Sequence, residues 1–156
     1  MNLPQYKNPP WLLERMPNSD WFTHAQIFDD LLIVANCSTA AFVLKTTDGL
    51  ILIDAIYPKE DMYNAIVSAI EDTGWNPADI KKFVITHGHF DHCGCGRWIV
   101  EKYHPETYLS KIDDDFWRDE PFFPDRPDTW KDFDIDHYVG DGDTITLGDT
   151  TIQVLF

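Results

Sequence analysis

The stretch Thr86-His87-Gly88-His89-Phe90-Asp91-His92 decides what kind of domain this chain forms. It offers three imidazoles and one carboxylate within six residues, and these are the groups that bind zinc where thiolates are absent. Burying four such groups without partners would be costly, so the run is not an ordinary piece of core. Half of the six histidines of the chain lie in this window, which argues against a histidine-rich surface loop of no function. We interpret the run as a metal-binding segment.

The local backbone decides how many of these side chains can converge. On a strand only alternate residues would share a face, and on a helix only residues three or four apart would do so. A loop just past the end of a strand can curl so that all the ligands meet, and Gly88 permits a tight backbone there. Residues 82–86 are predicted to form that strand. Ligands of open α/β sheets commonly bind at such strand ends.

Three short apolar runs precede the metal-binding segment and have the spacing of antiparallel hairpins. They cover residues 31–34, 40–45 and 50–53, and the last two are separated by the turn residues Thr47-Asp48-Gly49. A helix then opens at Pro58, shows one apolar face, and ends at Thr73-Gly74. A strand, a helix and a strand in succession predict a right-handed crossover that pairs the two strands in parallel.

The rest of the chain divides into shorter elements around this centre. A second helix is predicted from about Cys95 to Pro105, and residues 111–136 are predicted to form a short helix followed by an extended, aromatic loop. Strands are predicted at residues 138–139, 143–147 and 150–156, with a tight turn at Gly148-Asp149. The Pro-rich residues 1–24 are expected to be an irregular lead-in, so that the domain proper covers residues 25–156.

Composition excludes some classes of function. The formal net charge is −15, and a strongly acidic surface repels nucleic acid and anionic membranes. The first eleven residues carry three prolines and no apolar segment of a secretory signal, and the longest apolar run, residues 31–35, is too short to cross a bilayer. We therefore expect a cytoplasmic protein that binds a small-molecule substrate, with neither nucleic acid nor membrane as a partner.

Some residues leave two interpretations open. Cys93 and Cys95 follow the metal-binding segment and could be soft ligands or redox groups, although small residues for helix packing are the simpler explanation. His137 could lend a ligand across an interface or be an ordinary strand residue. The aromatic loop within residues 116–133 could line an apolar substrate pocket or pack against a partner. The three cysteines of the chain are an odd number, which does not indicate a disulfide framework.

The metal-binding segment resembles the His-x-His-x-Asp-His signature of the metallo-β-lactamase superfamily. Two further pieces resemble that family in the same order along the chain. Residues 48–54 are similar to its early hairpin, which ends in a buried aspartate, here Asp54. Residues 142–148 are similar to the hairpin that precedes its third histidine. The resemblance covers about residues 30–156.

The resemblance implies a fold, a cofactor and a role for each site residue. The fold would be α/β (α+β): the N-terminal half of an αββα sandwich, a mixed sheet with helices on one face. One or two Zn²⁺ ions would bind, with Fe or Mn as the alternative metal. His87 and His89 would belong to the first metal site, and Asp91 and His92 to the second. Asp91 would also be catalytic, orienting the attacking water or accepting its proton, and Asp54 would hold the segment by hydrogen bonds.

The function implied is that of a metal-dependent hydrolase of an ester, thioester, lactone or amide. The chain ends at Phe156, before the family's third histidine, so we expect this truncated domain to bind metal weakly and to hydrolyse little. We also expect it to form a homodimer or to associate with the absent C-terminal half. Two alternatives stay open: a catalytically silent half-domain that self-associates, and part of an iron-dependent thiol dioxygenase.

Overall fold

A computed structural model describes residues 23–36, 38–119 and 133–156 of the protein. The predicted lead-in, apart from its last two residues, lies outside the described residues. So do Cys37 and most of the aromatic loop, residues 120–132.

The described chain is built on one mixed sheet of seven strands in the order β1-β2-β3-β4-β5-β6-β7, with a separate two-stranded hairpin, β8-β9. The sheet strands are β1 Thr23–Phe28, β2 Leu31–Ala35, β3 Ala40–Thr46, β4 Gly49–Ile53, β5 Ile80–Val84, β6 Glu106–Leu109 and β7 His137–Tyr138. The hairpin consists of β8 Thr144–Leu147 and β9 Thr150–Gln153. The helices are α1 Glu60–Asp72, α2 Phe90–Cys93, α3 Gly96–Tyr103 and α4 Lys111–Asp119, with a 3₁₀ turn at Pro77–Asp79.

The direction of the strands changes in the middle of the sheet. Strands β1 to β4 pair antiparallel, whereas β4 to β7 pair in parallel, which confirms the predicted hairpins and the predicted parallel crossover. Ile53 pairs with Val84, so β4 and β5 end level with each other. The residues that follow these two strands, Asp54 and Ile85 onward, therefore emerge together at one edge of the sheet.

One face of the sheet and two helices form the core. In β2, Leu32 and Val34 are fully buried, whereas their neighbours are half-buried, which is the alternation of a strand with one covered face. Buried residues from β5, α1 and α3 complete the same cluster, among them Phe83, Ile66 and Ile99. Replacing Phe83 with alanine would cost on the order of 3–5 kcal/mol, because the site could collapse only partly.

The other face of the sheet is also apolar, but it is less completely covered. The register places Ile33 beside Phe42, Phe42 beside Ile53, and Ile53 beside Val84, so these side chains share the face opposite the core cluster. All four are half-buried. We call this surface the second face of the sheet.

Several boundaries differ from those predicted from the sequence. Strand β5 ends at Val84 rather than at residue 86, and the last strand ends at Gln153 rather than at residue 156. Strand β6 was not predicted, because its four residues follow Pro105 without a longer β-branched run to mark them. Strand β1 begins at Thr23, within the last two residues of the predicted irregular lead-in. Among the described helices none is long and apolar enough to cross a membrane.

Candidate metal centre

The metal-binding segment begins two residues after β5 ends. His87 and Gly88 lie in the turn, His89 is the residue immediately before α2, and Asp91 and His92 lie within the four residues of α2. The sequence predicted a continuous loop here, whereas the structure has the short helix α2 in its second half.

The three imidazoles of the segment come together. The ring centroids of His87 and His92 are 3.9 Å apart, and those of His87 and His89 are 4.8 Å apart at an interplanar angle of 90°. The Asp91 carboxylate lies 3.8 Å from Nε2 of His92. About a quarter of the His92 and Asp91 side chains is exposed, so an ion from solvent can reach them.

Asp54 supports this cluster from the end of β4. Its Oδ2 lies 2.8 Å from Nδ1 of His92, and its Oδ1 accepts a hydrogen bond of 2.8 Å from the backbone N–H of Thr86. The Thr86 hydroxyl also donates to Oδ2, at 2.8 Å. Because a carboxylate only accepts, Nδ1 of His92 carries the ring proton, and Nε2 keeps a lone pair for a metal ion. Asp54 has a φ of 59°, a backbone region that aspartate tolerates better than most residues.

Two backbone carbonyls of α2 are held by other parts of the chain. The hydroxyl of Thr39, in the β2–β3 turn, donates to the carbonyl of Asp91 at 2.8 Å. The N–H of Ala55 donates to the carbonyl of His92 at 2.6 Å. Thr39 is itself fixed by its backbone N–H, which donates to the Asn36 side chain at 2.9 Å. Local sequence does not predict this contact of Thr39, because its partner is 52 residues away along the chain.

A second residue missed by the sequence reasoning is Asp113, in the first turn of α4. Its Oδ1 accepts a hydrogen bond of 3.0 Å from the backbone N–H of Gly88. The pattern Ser110-x-x-Asp113 is a helix N-terminal signature and could have located the carboxylate. It could not have indicated that the carboxylate reaches the metal-binding segment.

The electrostatics favour neutral, ligand-competent imidazole at His87. Burial lowers the pKa of His87 below its ordinary value, and the neighbouring His92 and His89 lower this pKa further. Metal ions bind the neutral ring, so a lowered pKa keeps the nitrogen lone pair available to lower pH.

The two cysteines beside the cluster are buried thiols. The thiol of Cys93 donates to the carbonyl of His89 at 3.0 Å, and that of Cys95 donates to the carbonyl of Tyr57 at 2.9 Å. Burial raises the pKa of both, that of Cys95 to about 12. A protonated, buried thiol is a poor metal ligand and a poor nucleophile, which favours the packing interpretation.

His137 lies in β7, where its ring stacks on Tyr108 with centroids 4.6 Å apart. Its Nε2 is 3.9 Å from the Glu106 carboxylate. These contacts fit the ordinary strand residue of the two interpretations that the sequence left open.

The donor set fits a zinc-type ion, although the side chains are not spaced around a common point. Within residues 23–36, 38–119 and 133–156, no three His, Cys, Asp or Glu side chains already have metal-ligand spacing. The rings of His87 and His92 lie against each other instead. Imidazole and carboxylate are nevertheless the donors that Zn²⁺ and Fe²⁺ take, and Asp54 orients His92 as a ligand.

Comparison with solved structures identifies similar folds. BJP-1, a subclass B3 metallo-beta-lactamase of Bradyrhizobium japonicum, matches with a TM-score of 0.74 at 29% identity, over 85% of this chain and 50% of that one. GOB-18 from Elizabethkingia meningoseptica matches with a TM-score of 0.79 at 24% identity, over 99% and 56% of the two chains. FEZ-1 from Legionella gormanii matches with a TM-score of 0.75 at 22% identity, over 86% of this chain and 52% of that one.

The chain spans about half the length of these solved structures. Its mixed sheet and helices are accordingly the metallo-β-lactamase fold over about half of that fold's length. No curated protein sequence matches it significantly. The family model described as "Metallo-beta-lactamase superfamily" matches residues 34–155, which include the end of β2, all of β3 to β9 and the whole histidine cluster. The protein belongs to the metallo-β-lactamase superfamily.

Proposed function

We propose that this chain supplies the ligands of a metal-dependent hydrolase that acts on an ester, thioester, lactone or amide. The observation that carries the proposal is the meeting of three imidazoles beyond the end of β5, with Asp54 orienting one of them. The similarity to a subclass B3 metallo-beta-lactamase at 29% identity supports the same class of chemistry. A superfamily hosts many substrates, so the fold does not select a β-lactam among them.

The proposal gives each side chain of the cluster a role. His87 and His89 would hold one metal ion, and Asp91 and His92 a second, with Zn²⁺ as the first choice and Fe or Mn as alternatives. The bound metal supplies Lewis acidity, which activates water and polarises a carbonyl oxygen. Asp91 orients the attacking water or accepts its proton. Asp54 holds the tautomer of His92 that leaves Nε2 unprotonated.

The chain contributes two ligands to each proposed metal site, whereas catalytic zinc usually has three from protein. We therefore propose that this chain alone binds metal weakly and hydrolyses little. Either a second copy or a polypeptide equivalent to the other half of its relatives would complete the sites. Apolar side chains exposed by half or more, Phe28, Ile112 and Tyr138, support such an association.

Metal uptake tests the site. We expect elemental analysis after dialysis against Zn²⁺ to find metal in the wild-type chain and little in a His87→Ala/His89→Ala variant. His24→Ala is the matched control, since His24 is a partly exposed histidine that pairs with Asp72 rather than with the cluster. Equal uptake by the double variant and the wild type would overturn the site assignment.

Hydrolysis tests the activity. A panel of an aryl ester, a thioester, a lactone and a β-lactam should be assayed with the chain and with a version extended past Phe156. We expect metal-dependent hydrolysis to be stronger in the extended version. An extended version that binds metal and cleaves none of the panel would overturn the hydrolase proposal, and thiol oxidation by its iron form would support the dioxygenase instead.

Sedimentation velocity tests the association. We expect the sedimentation coefficient of the chain to rise with protein concentration, because the proposed interface is apolar. A monodisperse monomer over the whole concentration range would contradict self-association.

A further inference from the structure

The N-terminus of α4 lies against the metal-binding segment. Ser110, the residue before α4, accepts a hydrogen bond of 3.0 Å from the backbone N–H of Asp113, and its hydroxyl donates to Asp113 Oδ2 at 2.5 Å. This is a reciprocal capping arrangement, and it uses only one of the two carboxylate oxygens. The other, Oδ1, accepts from the backbone N–H of Gly88 at 3.0 Å.

Gly88 is the residue between His87 and His89, so the peptide that Asp113 holds joins two proposed metal ligands. Gly88 is buried, and a bond from a buried N–H to an ionised carboxylate is stronger than one between neutral groups. Glycine is also the residue with the most backbone freedom to lose. A fixed Gly88 amide therefore limits the directions in which the two flanking imidazoles can project.

A second contact from the same helix acts on the cluster. Phe116 lies one turn after Asp113, and its ring meets the ring of His89 edge to face, with centroids 5.9 Å apart at 84°. One helix thus restrains both the backbone and an imidazole of the segment. The helix follows directly on β6, whose pairing with β5 fixes where it starts.

We propose that Asp113 is a positioning residue of the metal centre. It holds the Gly88 amide and so limits the directions that His87 and His89 can take when metal binds. The inference rests on the proposed function, because it concerns the ligands of that same site. Asp113 thus has two separate roles: its bonds with Ser110 stabilise α4, whereas its bond with Gly88 orders the ligands.

Three variants separate the two roles. Asp113→Ala removes both bonds. Ser110→Ala removes the cap and leaves Oδ1 free to accept from Gly88. Asp113→Asn keeps an acceptor oxygen for Gly88 and an N–H for Ser110, and should restore most of the wild-type behaviour. Asp115→Ala is the matched control, because Asp115 is an exposed residue of the same helix that pairs with Lys111.

The hydrogen-exchange rate of the Gly88 amide in the metal-free chain measures this hydrogen bond directly. Resolved by NMR, exchange of the Gly88 amide should be at least about ten-fold faster in Asp113→Ala than in Ser110→Ala, because only the former loses the acceptor. Equal exchange in these two variants would overturn the proposal.

Metal affinity measures the effect of this bond on the two ligands. Competition with a chromophoric chelator should show Zn²⁺ binding weakened about 10- to 100-fold in Asp113→Ala, and the visible spectrum of the Co²⁺ form should change. Asp113→Asn should bind nearly as the wild type does, and Asp115→Ala should be unchanged. A wild-type chain that binds metal no better than Asp113→Ala overturns this inference alone. A wild-type chain that binds neither ion overturns the proposed function and the positioning role with it, even where Gly88 exchange responds as expected.

Discussion

Single side chains decide whether the histidine cluster can act, and Asp54 shows this most clearly. Its carboxylate is nearly buried and serves three donors on two residues, Thr86 and His92. A buried acceptor with that many partners cannot be replaced without leaving a donor unpaired. The residue therefore joins the stability of the segment to the protonation state of one ligand.

Asp54→Asn should separate these two effects. The amide keeps an oxygen for Thr86 but faces Nδ1 of His92 with an N–H, so that ring should move its proton to Nε2. We expect weaker metal binding with a loss of unfolding free energy of about 1–3 kcal/mol. Nitrogen NMR of the His92 ring, with urea unfolding of the same sample, measures both. An unchanged tautomer would contradict the role of Asp54.

Cys93 and Cys95 allow a prediction about reactivity. The thiolate is the reactive form, and burial raises the pKa of both thiols, so at pH 8 their thiolate fraction is below that of an ordinary cysteine. We expect iodoacetamide to label both residues far more slowly in the folded chain than in urea. Mass spectrometry of the peptide that contains them measures the two rates. Equal rates would show that the thiols are not buried.

At the scale of elements, the approach of α3 to the sheet depends on a missing side chain. A Cβ built on Gly96 would lie 2.7 Å from ring atoms of Phe133 and 2.8 Å from the ring of Phe83. Both rings belong to the core cluster, where close packing leaves little room to move. Glycine at the first residue of α3 therefore sets the distance between the helix and the sheet.

Gly96→Ala should lower the free energy of unfolding by about 1–3 kcal/mol through overpacking. Gly140→Ala is the matched control, since the nearest atom to its added Cβ is the Asp143 carboxylate at an ordinary 3.8 Å. Urea unfolding of the three proteins gives the comparison. A loss as large in Gly140→Ala would point to a general cost of replacing glycine instead.

Strands β5 and β6 are joined across the sheet by a polar contact whose strength depends on pH. Hydrogen bonds from Lys82 and Tyr108 lower the pKa of Glu106. A carboxyl group whose pKa is lower in the folded chain stabilises the fold at pH values above its pKa in the unfolded chain, about 4.3. This contribution is lost as the pH falls through the pKa of the group in the folded chain. Glu106 is about half exposed, so the effect should stay below about 1 kcal/mol.

Comparing the wild type with Glu106→Gln tests this contact. The difference in unfolding free energy should be present at pH 7 and should shrink as the pH falls below about 4.3, because the carboxylate of the folded chain then becomes protonated in turn. Added salt should reduce it. A difference that does not change between pH 7 and pH 3 would mean that the charge of Glu106 contributes nothing.

At the scale of the whole molecule, local sequence was informative where chemistry or periodicity is local. The helix predicted from Pro58 to Thr73-Gly74 is α1, Glu60–Asp72, because its apolar period lies within its own residues. Strand β6 and the contacts of Thr39 and Asp113 were missed. Each depends on partners more than twenty residues away, and no local pattern encodes such pairing.

The hydrogen bonds that hold the metal-binding segment also affect when it becomes ordered during folding. Asp91 is held by a residue 52 positions earlier, His92 by one 38 positions earlier, and Gly88 by one 25 positions later. Contacts so distant in sequence form only after the intervening strands have paired, since loop closure must be paid for first. A chain leaving the ribosome exposes its histidines before Asp113 has been synthesised. We therefore expect the cluster to be the last part of the fold to become ordered, although its histidines are synthesised before Asp113.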